Sequence, residues 1–342
     1  MPVRPEDYDE IVKRISRKYD GDLRRGNEME SADRISTGSL ELDVATGGGI
    51  PQGRWSRFYG NYSSTKTLTA YRVIAQAQRL GLSCAYYNVE KQYHPKFVER
   101  WDVDSKELTV VEGTTIEEIG DKMEALFGVV HLHVVDSCSM AESEDALNAD
   151  IRDWRPGINA RAWGKVFRRL NERFDQHENT VILLDHVTIN FQTGSEVAKG
   201  GKIFDHQSSL SIMFRKGKWL HRDSEGVLSE TALQRKGSDG QMEPAGIAIA
   251  CRVEKSRVCR PFRTATRHYD MDNYVFDDVF EYIKAAKHYG IVRPGKGNGR
   301  WEYGPEDNPV KLYGDKQLRE WIKADLTLQE EIRDRAMAAS QR

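Results

Sequence analysis

Residues 60–67, Gly-Asn-Tyr-Ser-Ser-Thr-Lys-Thr, almost spell a phosphate-binding loop. The motif reads G-x-x-x-x-G-K-[ST], and Thr65 stands where its second glycine belongs. Placed between a strand and a helix, such a loop points successive backbone N–H groups at one spot, and the helix dipole adds positive potential there. Gly60, Ser63, Ser64 and Thr65 would form that cradle. Lys66 adds a full charge for the outer phosphates of a nucleotide, and the Thr67 hydroxyl can ligate a magnesium ion. Glycine is usual at position 65 because it permits unusual backbone angles and lets a phosphate approach closely. A β-branched residue there predicts weaker binding or a reshaped loop. Two acids complete the set. Asp136 ends the apolar run His-Leu-His-Val-Val-Asp, where an aspartate supports magnesium through water. Glu90 follows Cys-Ala-Tyr-Tyr-Asn-Val, where a carboxylate can orient or deprotonate an attacking water. Taken singly, Asp136 also reads as a loop cap and Glu90 as a solvated strand end.

The elements that must position these residues are short apolar strands alternating with helical patterns. Strands are expected at 54–59, 84–89, 131–136 and 180–185, and helices at 67–80, 116–127 and 158–176. This order implies a parallel sheet with crossover helices. Three chemical features at the C-terminal ends of parallel strands then converge where such sheets bind ligands. Beyond residue 200, Ser-Leu-Ser-Ile-Met-Phe, Gly-Ile-Ala-Ile-Ala-Cys-Arg-Val and Thr-Ala-Thr-Arg-His-Tyr read as an antiparallel extension. Residues 276–342 turn helical again around a Gly-rich interruption and read as a small separate domain. Residues 5–20 carry Tyr8, Ile11, Val12 and Ile15 at helical spacing, and a polar stretch follows to about residue 33.

With 342 residues, 39% of them apolar and 30% charged, the composition is that of an ordinary globular protein. The net charge of −2 does not announce a nucleic-acid binder, so any such role must rest on local basic patches. Cys84, Cys138, Cys251 and Cys259 lack metal-ligand spacing and read as reduced thiols, three of them buried in apolar runs. No apolar run approaches membrane-spanning length, and the N-terminus does not resemble a signal peptide, so an intracellular protein is expected.

The chain closely resembles the RecA-type recombinases, in particular UvsX-like, phage-encoded members. The resemblance rests on Ile-Ser-Thr-Gly-Ser-Leu-Glu-Leu-Asp-Val-Ala-Thr-Gly-Gly-Gly-Ile-Pro-Gln-Gly-Arg before the phosphate loop, the Glu90 and Asp136 strands, and Lys-Gly-Gly-Lys-Ile-Phe at 199–204. Glu-Lys-Ser-Arg-Val-Cys-Arg-Pro-Phe at 254–262 also matches. It implies an α/β fold: a RecA-like P-loop ATPase core with a mostly parallel twisted sheet at 34–275, an N-terminal helical docking arm at 1–33, and a small α+β C-terminal domain at 276–342. It implies ATP and Mg2+ as ligands, single-stranded and homologous duplex DNA as partners, and self-association into a helical filament. No membrane partner is expected, and the location implied is the cytoplasm of a bacterium or a phage-infected host. The activity implied is DNA-dependent ATP hydrolysis coupled to homologous pairing and strand exchange. A RecA-fold motor of another kind, or a filament protein with a weakened ATPase, are the alternatives.

Carried onto this sequence, the resemblance makes Glu90 the activator of water and puts His94, Phe97 and Tyr269 against the nucleotide. Lys255 and Arg257 fall where basic residues reach a neighbouring subunit's γ-phosphate. Asp185-His186 replaces the family's usual Asn-Gln pair, and His186 takes the place of the γ-phosphate sensor. Two DNA-facing loops are expected. The first, at about 148–157, carries Arg152, Trp154 and Arg155, suited to pairing phosphates and stacking on bases. The second, at about 187–201, carries Phe191 as a wedge between bases and ends in Gly200 and Gly201. Arg161 and Arg168 on the intervening helix would hold backbone phosphates.

Overall fold

Strand periodicity builds one large sheet with an apolar layer on each face. The computed structural model describes residues 5–18, 33–150, 157–174, 179–189, 196–224, 226–230, 243–296 and 299–340. Across the sheet the strands run Val275–Phe276, Thr264–Asp270, Gly246–Ser256, Leu210–Arg222, Trp55–Gly60, Thr180–Ile189, Leu132–Asp136, Cys84–Asn88 and Leu108–Val111. All pairings from Leu210–Arg222 to Leu108–Val111 are parallel. Those from Leu210–Arg222 to Val275–Phe276 are antiparallel. The phosphate-loop strand therefore lies in mid-sheet, and the C-terminal ends of the Glu90 and Asp136 strands open on the same edge.

Alternate strand residues face opposite ways. Ile182, Leu184, Val134, Phe58 and Phe214 pack with Ala70, Val73, Ile74 and Ala77 of the helix Lys66–Arg79. Val181, Leu183, Val135 and Tyr87 pack on the other face with Ile119 and Met123 of Ile116–Leu126 and with Trp163, Phe167 and Leu170 of Ile158–Phe174. The stretch that opens the family match has a local physical cause. The buried Asp43 carboxylate accepts from Ser36 Oγ, Thr37 Oγ1 and Thr37 N, while Ser39 caps the helix Leu40–Thr46. Gly49 admits no side chain, since a Cβ there would lie 2.1 Å from the Ile35 carbonyl oxygen.

Two features depart from the expectation, and the C-terminal residues combine helices with a sheet as expected. Leu108–Val111 is an additional edge strand, too short and too exposed at Thr109 to give a clear pattern. The loop expected from residue 187 is in part a hairpin: Thr180–Ile189 continues through the β-branched Val187, Thr188 and Ile189 and pairs antiparallel with Glu196–Ala198. Residues 278–340 hold the helices Asp278–His288, Gly314–Ala324 and Leu326–Ser340, together with a three-stranded antiparallel sheet of Val292–Pro294, Arg300–Tyr303 and Val310–Tyr313. Their apolar cluster takes in Leu40 of the helix Leu40–Thr46. The buried Arg267 guanidinium joins the parts, donating to Glu281 Oε1 at 3.1 Å and to Thr69 Oγ1 at 3.1 Å.

Residues 1–33 form a unit of their own, whose helix Pro5–Lys18 exposes Ile11 and Ile15 one turn apart. The four cysteines are free thiols, and Cys84, Cys138 and Cys251 are buried as expected. Among the described residues no helix is long and apolar enough to cross a membrane.

Candidate nucleotide site and DNA-facing elements

Gly60 ends its strand where a Cβ would lie 2.1 Å from the Phe214 carbonyl oxygen, so only glycine fits the turn into the loop. Ser63 (φ 54°) and Thr65 (φ 64°) both take left-handed backbone angles. The loop thus demands glycine-like geometry at position 65, and a buried threonine supplies it with its Oγ1 unpartnered. Lys66 opens the helix and curls back over the loop, its Nζ donating to Gly60 O at 3.0 Å and Asn61 O at 2.8 Å. Burial pushes the Lys66 ammonium down to about 8, against the pull of Asp136 and Glu90. An ammonium so placed, satisfied by two weak carbonyl acceptors, suits an incoming polyphosphate.

Thr67 Oγ1 donates to Asp136 Oδ2 at 2.9 Å, and Tyr86 OH donates to the same oxygen at 2.7 Å. Burial raises the Asp136 carboxyl, with Tyr86 and Thr67 opposing. Among the described residues no cluster of three or more His, Cys, Asp or Glu forms a metal cage. Thr67 and Asp136 offer two hard oxygens side by side, which fits magnesium, since that ion draws its remaining ligands from water and phosphate.

Glu90 is half-buried beside them. Its Oε1 accepts from His186 Nε2 at 3.0 Å and from Ser137 Oγ. The His186 hydrogen bond, then that of Ser137, holds its carboxyl below the usual range despite partial burial. His186 pairs in register with Gly60 and stacks on Tyr62, with ring centroids 4.4 Å apart. The site therefore contains a lysine, a hydroxyl–carboxylate pair and a carboxylate kept ionised.

The other candidates are dispersed. His94 is exposed at the start of the helix Pro95–Val98, and Phe97 lies edge-on to Tyr71 at 6.5 Å. Tyr269 packs with Trp101 and Phe276, which lies beneath the Arg72 guanidinium of the Lys66 helix. Lys255 Nζ donates to Asp205 O and Ser208 O, and Arg257 NH2 donates to His206 O at 3.4 Å. Both cap the C-terminal end of their own helix Lys202–Gln207, far from their own phosphate loop. Arg161 and Arg168 are exposed on Ile158–Phe174, share that face with Lys165, and join no ion pair among the described residues. Gly200 N donates to Asp185 Oδ2 at 3.1 Å, and Gly201 (φ 73°) precedes the helix Lys202–Gln207. Gly157, Lys199 and Gly200 line one cleft with Trp163, so the described ends of the two candidate DNA loops adjoin. Arg152, Trp154, Arg155 and Phe191 lie outside the described residues.

Several participants escaped the sequence reading. Tyr86 and Ser137 neighbour the two acids, and Tyr62 and Asn61 sit inside the motif at unrestricted positions. Arg57 and Asp185 form a fully buried ion pair, and Arg57 NH1 also reaches Asp205 Oδ1 at 2.6 Å. A charge inside the apolar run 55–60 was the available signal, because a buried charge needs a partner.

A family model described as the RecA N-terminal domain matches residues 8–271. The chain belongs to the RecA family. A protein named Protein RecA from Sulfurovum sp. (strain NBC37-1) is 31% identical over 337 residues, covering 95% of this chain and 89% of that protein. Protein RecA of Roseiflexus sp. (strain RS-1) is 29% identical over 343 residues, covering 96% and 90%. Protein RecA of Chloroflexus aurantiacus (strain ATCC 29364 / DSM 637 / Y-400-fl) is 27% identical over 346 residues, covering 97% and 92%. The RecA-family match includes every candidate of the nucleotide site.

Proposed function

We propose that this RecA-family chain is a recombinase that polymerises on single-stranded DNA, binds and hydrolyses ATP, and catalyses homologous pairing and strand exchange in recombination and repair. The observation that carries the ATP reading is the convergence of Lys66, Thr67, Asp136, Glu90 and His186 on one sheet edge. Lys66 Nζ would exchange its carbonyl acceptors for the outer phosphates. Thr67 and Asp136 would hold magnesium, which supplies charge neutralisation at the phosphates. Glu90 would orient the attacking water and take its proton at a carboxylate oxygen, while His186 Nε2 keeps that carboxylate ionised and aimed. His94, Phe97 and Tyr269 are the proposed nucleotide-flanking residues.

DNA would run past the loops at 148–157 and 187–201, with Arg161 and Arg168 on backbone phosphates. The helix Pro5–Lys18 is the proposed docking arm, with Ile11 and Ile15 as its buried contacts in a filament. Residues 34–275 then form the core and 276–342 a small C-terminal domain. The test is ATP hydrolysis with and without single-stranded DNA, followed by strand exchange between homologous oligonucleotides. Stimulated hydrolysis with exchange is the expected result. Hydrolysis without exchange would make the chain a motor of another kind, and filaments without hydrolysis would make it a decayed ATPase.

A further inference from the structure

Two side chains of the phosphate loop touch the Thr180–Ile189 and Glu196–Ala198 hairpin, both at positions that the motif leaves free. Tyr62 stacks on His186 of the first strand. Asn61 Nδ2 donates to Glu196 Oε1 at 2.6 Å, at the end of the hairpin where the two strands are connected and Ile189 pairs with Glu196. Asn61 faces both ways. Its carbonyl oxygen accepts from Lys66 Nζ at 2.8 Å and from Ser64 Oγ at 2.7 Å, while its side chain holds the hairpin. Glu196 is itself fixed, its Oε2 accepting from Arg215 Nε at 3.2 Å. Arg215 lies on Leu210–Arg222, the other neighbour of the phosphate-loop strand.

An acidic side chain in a segment read as DNA-facing would repel a phosphate backbone. Here both carboxylate oxygens are engaged within the protein, by Asn61 and Arg215. A charge-assisted bond of this kind is short and directional, so displacement of the hairpin strains Asn61 directly. Asn61 in turn supplies one of the carbonyl oxygens that Lys66 must leave when phosphate arrives.

We propose that Glu196 is a positioning residue that couples DNA engagement of the hairpin to nucleotide binding at the phosphate loop, through its hydrogen bond to Asn61. The inference rests on the reading of ATP and single-stranded DNA as ligands. Ordering either partner of the Glu196–Asn61 bond lowers the cost of ordering the other, so the coupling acts equally in both directions.

The test measures the affinity of the full chain for a fluorescent oligodeoxythymidylate at fixed salt, with and without a non-hydrolysable ATP analogue. The ratio of the two dissociation constants is the coupling factor. Glu196→Ala and Asn61→Ala should each lower it by roughly fivefold or more, within the usual range of such couplings. The double variant should lose no more than either single one, because one bond is removed in all three. Glu196→Gln keeps an acceptor for Asn61 and should keep most of the coupling. Affinity for the analogue alone should stay within about threefold of wild type in Glu196→Ala and Glu196→Gln. An unchanged ratio in both alanine variants, additive losses in the double variant, or equal losses in Glu196→Gln and Glu196→Ala would each overturn the inference. So would a wild-type chain that binds both ligands without coupling. A wild-type chain that binds neither ligand would instead overturn the functional reading itself.

Discussion

Replacing Thr65 by glycine should stabilise the protein, and the size of the gain follows from the loop. Thr65 holds φ 64° and ψ 19°. There the Cβ of an L-residue crowds the following carbonyl, at a cost of about 1–2 kcal/mol. Its hydroxyl is buried without a partner, which adds about 1 kcal/mol or more. Against this, glycine loses more backbone entropy on folding, roughly 0.5–1 kcal/mol. The missing γ-methyl forfeits about 0.8 kcal/mol of apolar burial. The balance is a gain of roughly 1 kcal/mol for Thr65→Gly. Thr65→Ala separates the causes. It removes the hydroxyl and the methyl but keeps the Cβ, so the backbone cost remains and stability should barely move. Guanidinium unfolding midpoints of the nucleotide-free protein are the assay, with ATP affinity measured in parallel. ATP binding should be unharmed or improved by the glycine. A glycine variant no more stable than the alanine variant would refute the strain argument. A collapse of ATP affinity in the glycine variant would show that the threonine is used positively on the phosphates.

Glu90→Gln should bind ATP and assemble normally while turnover falls by about two orders of magnitude, the scale of a general base; a variant unable to bind nucleotide would contradict that role. Lys66 has a folded-state pKa lowered from 10.5 to about 8. The unfolded chain therefore holds the extra proton between those values, and the nucleotide-free fold should gain stability as pH rises from about 8 towards 10.5. ATP affinity should fall over the same window, by about tenfold per pH unit, because the phosphates bind the ammonium; a flat profile would remove Lys66 from the phosphates. Arg257→Ala should bind ATP as a monomer yet lose DNA-stimulated hydrolysis. Mixing it with Glu90→Gln on single-stranded DNA should restore part of that hydrolysis, and no recovery despite co-assembly would exclude a cation acting between subunits.

The sequence made the strand, loop and helix around Lys66 legible because all three are contiguous, and the motif ties residue type to backbone task. Glu90 and Asp136 were legible for a different reason, since an acid that closes an apolar run must emerge at a strand end. Their partners were not legible. Tyr86 meets Asp136 only because Cys84–Asn88 and Leu132–Asp136 are neighbours in the sheet, which no local pattern encodes. Ser137, just past the end of Leu132–Asp136, and His186, on Thr180–Ile189, converge on Glu90 in the same way. The substitution at Thr65 was visible, but not the left-handed angle that gives it a cost. The hairpin at 187–198 was read as loop because Gly, Ser and Thr at its centre masked the β-branched residues on its flank.

Lys255 and Arg257 show how far strand register carries the argument. Lys255 pairs with Ser211, which pairs with Arg57, and Arg257 N donates to Ser209 O, whose own N–H reaches Trp55 O. The phosphate loop begins five residues further along that strand, beyond Gly60. At about 3.3 Å per residue this is roughly 16 Å from the level of Arg257 and, three residues from Gly60, roughly 10 Å from the level of Lys255, with two strand spacings of about 4.8 Å each still to cross, more than either side chain spans. Neither cation can therefore serve its own chain's nucleotide while the sheet is intact. Both instead rest on carbonyls at the C-terminal end of Lys202–Gln207, where the helix dipole favours positive charge. That helix follows Gly200 and Gly201, and its Asp205 is bound to the buried Arg57. The end of the candidate DNA loop and the two cations thus share one short, pinned helix. A second copy of the chain, presenting its phosphate loop to this edge, would give the cations a nucleotide to meet and would bring DNA contact and catalysis into one rigid connection.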